Sequence, residues 1–342
     1  MTAENARPPG ARRSLARVTD LADAIEGVLS GARGEVAAAA VLDLLRANGG
    51  PVGETEWLEL QDLVYGRLRE RLSGHWWWLF GPKRVARHLT RVGVWWPEGG
   101  SGAFVEFGCG RENPLALSVL MWLNGARSCL ASDLDPCEDE ARAALGLHDL
   151  LVECLAYPDR FRLPAVPRWR IEERVRAFDL ERLRQGELAA GLADVPCRLG
   201  AGELGATWRA AGAPAVDLLA SFSVLEHAPL ERTAGTLAEL VRPGGRMVHE
   251  VDFRDHRSYA SEISAWGYLL DGGPPQEISN ELRCSEVIAT VERAGFRLLS
   301  CERTEEEPPP EVWRALREKF RALPARDVTT QQATLVFERS PR

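Results

Sequence analysis

The chain has 342 residues, 45% of them hydrophobic, and a formal net charge of −8 at pH 7. That length and apolar content suffice for one large domain with an appendage, or for two domains. The acidic balance argues against general adhesion to nucleic acid, which depends on phosphate neutralisation, and no run of about 18 apolar residues offers a membrane span.

Residues 1–18 are rich in Pro, Arg and Ala and read as a disordered tail. They lack the apolar stretch of a signal peptide, so a cytoplasmic location is expected. Seven scattered cysteines without a C-x-x-C pair argue against a zinc site or a disulfide framework. Only Lys83 and Lys319 are lysines, and the arginines go with abundant Ala and Gly. This is a compositional bias, so arginine counts carry no functional weight.

From Thr19 or Asp20 to about residue 98, apolar residues recur at helical spacing: Leu21, Ile25 and Val28, then Trp57, Leu60, Leu63, Val64, Leu68 and Leu72. Pro82 is placed to open a further helix. Residues 19–98 are therefore expected to form an N-terminal helical cap. Trp76, Trp77, Trp78, Trp95 and Trp96 are read as pins between that cap and the rest of the chain.

After PEGGSG the pattern changes. Strands are expected at 103–108, 128–134, 196–201, 215–223 and 246–252, with helices at 113–125, 230–241 and 285–295 and two closing strands, FRLLSCER and TTQQATLVFER. Alternation of this kind implies a parallel sheet covered by helices. Residues 99–342 would form this domain, with a helical insertion at about 150–193 placed near the active site.

The turn FVEFGCGRENP follows the first strand, and parallel sheets bind ligands at such carboxyl ends. Gly108 and Gly110 let the backbone approach a ligand, while Asn113 and Pro114 suit a helix start. No Lys-Ser/Thr pair follows, which excludes a P-loop, and Asn113 and Glu112 break the dinucleotide fingerprint. A cofactor without phosphates remains. Glu106 would repel a diphosphate but attract a cation, and Asp133, ending the second strand, stands where a ribose diol is gripped.

Four blocks, VEFGCG, SDLDP, SFSVLEHAP and LVRPGGRMVHEVD, occur in order over residues 103–252. In them the chain resembles the class I S-adenosylmethionine-dependent methyltransferases, particularly the small-molecule subgroup with SVLEH and RPGG. The resemblance implies a Rossmann-like, seven-stranded, mostly parallel sheet with helices on both faces and a final antiparallel strand. It implies S-adenosyl-L-methionine as cofactor, with Glu106, Gly108 and Gly110 at its methionine end, Asp133 on the ribose and Leu134 on the adenine. Ser221 and Phe222 would lie beneath it. Two departures stand out: Glu112 replaces the family's third glycine, and Ala201–Gly202 occupies the adenine position where Asp-Ala is common.

Methyl transfer is an in-line displacement and needs a base only if the acceptor must lose a proton. His227, in SVLEHAP, and Asp255 and His256, past the fifth strand, are the candidate catalytic residues. No metal is expected. His75, His88 and His148 are read as surface or packing residues. The expected function is methylation of a small-molecule acceptor, favouring oxygen, in secondary-metabolite or glycan biosynthesis. Nitrogen or carbon methylation, a catalytically inactive scaffold and an NAD-dependent oxidoreductase are the alternatives.

Overall fold

The computed structural model describes residues 77–96, 102–110, 113–137, 139–212, 214–259, 263–271 and 279–341, together with Ala24. The expected tail, most of the helical cap, Trp76 and Glu112 lie outside the described residues.

The chain enters through α1 (Trp77–Gly93). This helix begins before Pro82 and continues past it. Then follow β1 (Ala103–Phe107), α2 (Ala116–Leu123), β2 (Ser128–Asp133) and α3 (Glu140–Ala156). Next come α4 (Arg168–Val175), α5 (Leu180–Arg184), α6 (Leu188–Gly191), β3 (Cys197–Ala201), α7 (Leu204–Ala210), β4 (Val216–Phe222) and α8 (Leu230–Leu240). The last part holds β5 (Val241–Asp252), α9 (Gly267–Leu270), α10 (Cys284–Arg293) and β6 (Phe296–Glu305). Three short helices, α11 (Pro310–Ala315), α12 (Glu318–Arg321) and α13 (Ala325–Thr329), lead to β7 (Thr330–Arg339).

One sheet runs in the order β3-β2-β1-β4-β5-β7-β6. β3 through β5 pair in parallel, and β7 is antiparallel to both β5 and β6. This is the expected Rossmann-like fold. Strand order reverses between β1 and β4, so the ligand crevice belongs at their carboxyl ends.

The sheet separates two apolar layers. On one side α1, α2, α3 and the segment up to β3 share a core through Leu89, Val92, Leu120, Leu147, Phe161 and Ile171. On the other, α7, α8 and α10 cover Val105, Leu219, Met247 and Leu335. Period-two alternation assigns β5 to both: Met247, His249 and Val251 face the second layer, and Val248 faces the first.

All eight residues of α2 are buried, as its all-round apolar sequence requires. Asn113 does not cap it: the N-cap is Leu115, without a side-chain hydrogen bond. The insertion packs against the far end of α2. Asn124 donates to the Phe161 carbonyl at 2.8 Å and accepts from Leu163 N at 2.7 Å, and Arg174 donates to the Ala126 carbonyl at 3.1 Å. These contacts lie at the carboxyl end of α2, opposite the crevice. No residue of the insertion lines the crevice itself, and its apolar residues are spent on the core, while Gly186 packs beside Ala141 at the start of α3.

At the other end of the sheet Arg283 is almost wholly buried. Its guanidinium donates to the carbonyls of Asp327, at 2.9 Å from Nε, Phe253 and Thr330, and contacts the Tyr268 hydroxyl. Buried carbonyls need such donors, and one guanidinium joins three chain segments here.

Candidate functional site

A cleft of about 1090 Å³ opens at the carboxyl ends of β1, β2 and β4. Gly108, with φ +76°, turns the chain out of β1; an added Cβ would stand 2.1 Å from Val224 Cγ2, so glycine is required twice over. Gly108 N donates to the Ser132 carbonyl at 2.7 Å. Gly110 N donates to Asp133 Oδ2 at 2.8 Å, and Asp135 N donates to Asp133 Oδ1 at 3.3 Å. Asp133 thereby ties the glycine turn to the end of β2 and keeps further acceptor capacity towards the cleft.

Glu106 sits on the cleft wall, buried, with its pKa raised to about 8 chiefly by loss of solvation. Ser118 Oγ approaches its Oε2 at 3.5 Å. A carboxyl so placed becomes a stable anion when a cation joins it. Cys109, on the same wall, is held as a thiol: burial, then the charges of Glu106 and Asp133, push its pKa up. Leu134 also lines the cleft and is 68% exposed, an apolar side chain left open for a flat ligand group.

Not every expected contact reaches the cleft. Ala201 and Gly202 are absent from its lining, and the following Glu203, Leu204 and Gly205 take that place. Gly202 N instead donates to the Asp133 carbonyl at 2.8 Å, closing the strand end. Ser221 is fully buried, its hydroxyl 2.7 Å from His249 Nδ1. Its expected position is taken by Ser223, a non-glycine residue at φ 56° that lines the cleft beside Phe222. Such a conformation in a functional turn is strain held by its surroundings.

Phe222 stacks on His88 with ring centroids 3.6 Å apart and an interplanar angle of 4°. His88 and Arg84 bring α1 to the cleft, so His88 packs, as one of the two expected readings has it, and also stands on the cleft wall. Burial, aided by Arg84, Arg91 and Arg87, holds its pKa well below the usual histidine value and keeps it neutral. No local signal marks it, since its partner lies more than a hundred residues away. Trp95 and Trp96 are half-buried against the first core layer, in keeping with a pinning role. His148 pairs with Asp149 at 3.0 Å on α3.

Of the three candidate catalytic residues, only His227 is among the residues lining the cleft. The His256 ring stands 4.7 Å from that of His227, edge-on. Both imidazoles have pKa values lowered, first by burial, and are neutral at pH 7. Glu226, which carries no mark of its role within SVLEH, is buried beside them, with its pKa raised to about 8 by burial. Asp255 is elsewhere in effect: fully buried, it is bound by Arg257 through N at 2.9 Å, Nε at 3.1 Å and Nη2 at 2.6 Å. Its carboxylate is consumed by a structural ion pair. His249, deep in the sheet with its pKa lowered to about 3 by burial, has no path to a substrate.

No family model matches the sequence, and no curated protein matches it. Among solved structures, one similar chain is an S-adenosylmethionine-dependent methyltransferase from Mesorhizobium loti, at 15% identity and a TM-score of 0.36, covering 72% of this chain and 95% of that one. Another is the N-methyltransferase NodS from Bradyrhizobium japonicum WM9 with S-adenosyl-L-homocysteine, at 12% identity and TM-score 0.37, covering 77% and 88%. A geranyl diphosphate methyltransferase in complex with SAM gives 14% identity and TM-score 0.40, covering 85% and 93%. TM-scores this low carry no argument, and the class of fold rests on the strand order.

Among the described residues no helix is long and apolar enough to cross a membrane.

Proposed function

We propose that this chain is an S-adenosyl-L-methionine-dependent methyltransferase acting on a small-molecule acceptor through an oxygen atom. The observation that carries the reading is Glu106: a buried carboxyl on the wall of a strand-end cleft, next to a glycine turn, where a cation would ionise it and a diphosphate would be repelled.

When bound, S-adenosyl-L-methionine supplies an electrophilic methyl carbon on a cationic sulfur. Glu106 would face its cationic methionine end, Gly108 and Gly110 would let the backbone approach it, and Asp133 would accept from the ribose hydroxyls. Leu134 and Leu204 would flank the adenine, with Glu203 at the rim. Phe222, held by His88, would form the floor towards the reacting end, replacing the role first expected of Ser221. The acceptor would enter beside His227 and His256, whose imidazoles are neutral and so keep a nitrogen lone pair.

Isothermal titration of the purified chain with S-adenosylhomocysteine, with NAD in a parallel cell, tests the reading. Micromolar binding of the first alone is expected. Binding of NAD alone, or of neither, would overturn it.

A further inference from the structure

We propose that Glu226, His227 and His256 form a site for one divalent transition-metal ion at the acceptor end of the cleft. The proposal rests on the reading of the neighbouring cleft as the cofactor site, and gives the acceptor an anchor there.

One potential ligand atom from each residue lies within 4.8 Å of the other two. A single point therefore lies within about 2.8 Å of all three, from that spacing. Metal–ligand bonds to imidazole nitrogen and carboxylate oxygen are about 2.0–2.2 Å, so side-chain shifts of under about 1 Å complete the coordination. One carboxylate with two imidazoles, leaving positions open, is a donor set for zinc, manganese or iron rather than for calcium or magnesium.

The second observation is the state of Glu226 itself. It is 2% exposed; Asp252 N donates to its Oε1 at 3.3 Å, while its Oε2 has no hydrogen-bond partner among the described residues. A buried carboxylate oxygen left in that condition is costly unless something positive meets it. Arg254, the nearby guanidinium, is directed at Asp252, with contacts of 3.0 Å and 2.8 Å to its two oxygens.

The loop is also held rigidly. Asn280 Nδ2 donates to the carbonyls of Leu225 at 2.7 Å and Ala228 at 3.0 Å, and Asn280 N donates to the Glu226 carbonyl at 2.6 Å. Asn280 sits between Ser279 and Glu281, both non-glycine residues at positive φ, 120° and 58°. Strain of this kind persists where surrounding contacts enforce it, and here it fixes the backbone that presents Glu226 and His227. Because His227 lines the cleft, the open coordination positions face the space where an acceptor enters.

In this role the ion holds an acceptor hydroxyl oxygen and lowers its proton affinity, so the imidazoles serve as ligands rather than as bases. The methyl carbon bonds to that oxygen, the carbon–sulfur electron pair stays on sulfur, and the hydroxyl proton leaves to solvent.

The test is titration of chelator-treated, full-length protein with Zn²⁺ by calorimetry, repeated with Mn²⁺ by electron paramagnetic resonance. One equivalent bound at micromolar affinity or tighter is expected, and Glu226→Gln, His227→Asn and His256→Asn should each weaken it at least tenfold. S-adenosylhomocysteine affinity of the same variants should change less than about twofold, which also certifies that they fold. No stoichiometric binding by the wild-type chain, or binding that all three substitutions leave intact, overturns the metal site. Loss of S-adenosylhomocysteine binding by the wild type, with metal binding retained, would strike the cofactor reading alone.

Discussion

The two ends of the cleft are built differently. At the β1–β2 end, recognition lies in backbone: a glycine turn, two strand termini and two carboxylates within thirty residues of one another, joined by hydrogen bonds from Gly108 and Gly110. At the β4–β5 end it lies in side chains gathered from α1, the loop after β4, the segment after β5 and the stretch around Asn280. A local motif can specify the first end. The second exists only when remote segments have folded together.

Arg283→Ala should break the comparison most forcefully. It removes the guanidinium donor from the buried carbonyls of Asp327 and Thr330 and leaves that of Phe253 with the Tyr268 hydroxyl alone, costing roughly 3–4 kcal/mol. Thermal denaturation should show the loss, while S-adenosylhomocysteine affinity well below the transition should hold within about twofold, because the β1–β2 end does not depend on that guanidinium. A parallel collapse of affinity would mean that the two ends are one unit.

The glycine turn offers the next largest effect. Gly108→Ala should cost roughly 2–3 kcal/mol and abolish measurable cofactor binding, since positive φ and the clash with Val224 combine. Gly110→Ala has the same φ but meets nothing within 4 Å, so about 1 kcal/mol is expected. Equal losses in both, by chemical denaturation, would contradict the steric account.

Asp133→Ala should weaken S-adenosylhomocysteine binding about tenfold, or about 1.4 kcal/mol, by removing both the proposed ribose acceptor and the anchor of Gly110 N. Unchanged affinity in calorimetry would refute the ribose assignment.

The smallest effect is a pH dependence. The folded-state pKa of Glu106, about 8, lies above its ordinary value of 4.5. Stability from its protonated form is therefore complete below the ordinary value and lost as pH rises through about 8. Glu106→Gln should flatten the pH dependence of the cofactor-free melting temperature between these limits. For the wild type, S-adenosylmethionine affinity should rise with pH towards about 8, and the variant should lose that rise. A variant curve parallel to the wild type would show that Glu106 does not titrate there.

The same contrast explains what the sequence made legible. VEFGCG and SDLDP carry strand periodicity, a turn and a carboxylate in one short run, and the structure joins them as β1, β2 and the cleft wall. Boundaries moved where packing overrode pattern: α1 runs through Pro82, and β5 starts at Val241, before the Pro-Gly-Gly stretch. His88 was unreadable because a histidine on an amphipathic helix says nothing of the phenyl ring it will meet. Glu226 was visible within SVLEH, but its meaning depends on His256, brought to it by β5. Asp255 failed as a catalytic candidate because Arg257, two residues on, claims it.

The position of β7 bears on how the sheet comes to be made. β6 precedes it in the chain, yet β7 lies between β5 and β6, so β6 has no strand to pair with until residue 339 is synthesised. The parallel half that carries the glycine turn can assemble on the ribosome, while β5 waits with an open edge. An open edge invites pairing with other chains, so a C-terminal truncation reaching into β7 would leave not a shortened protein but an adhesive one.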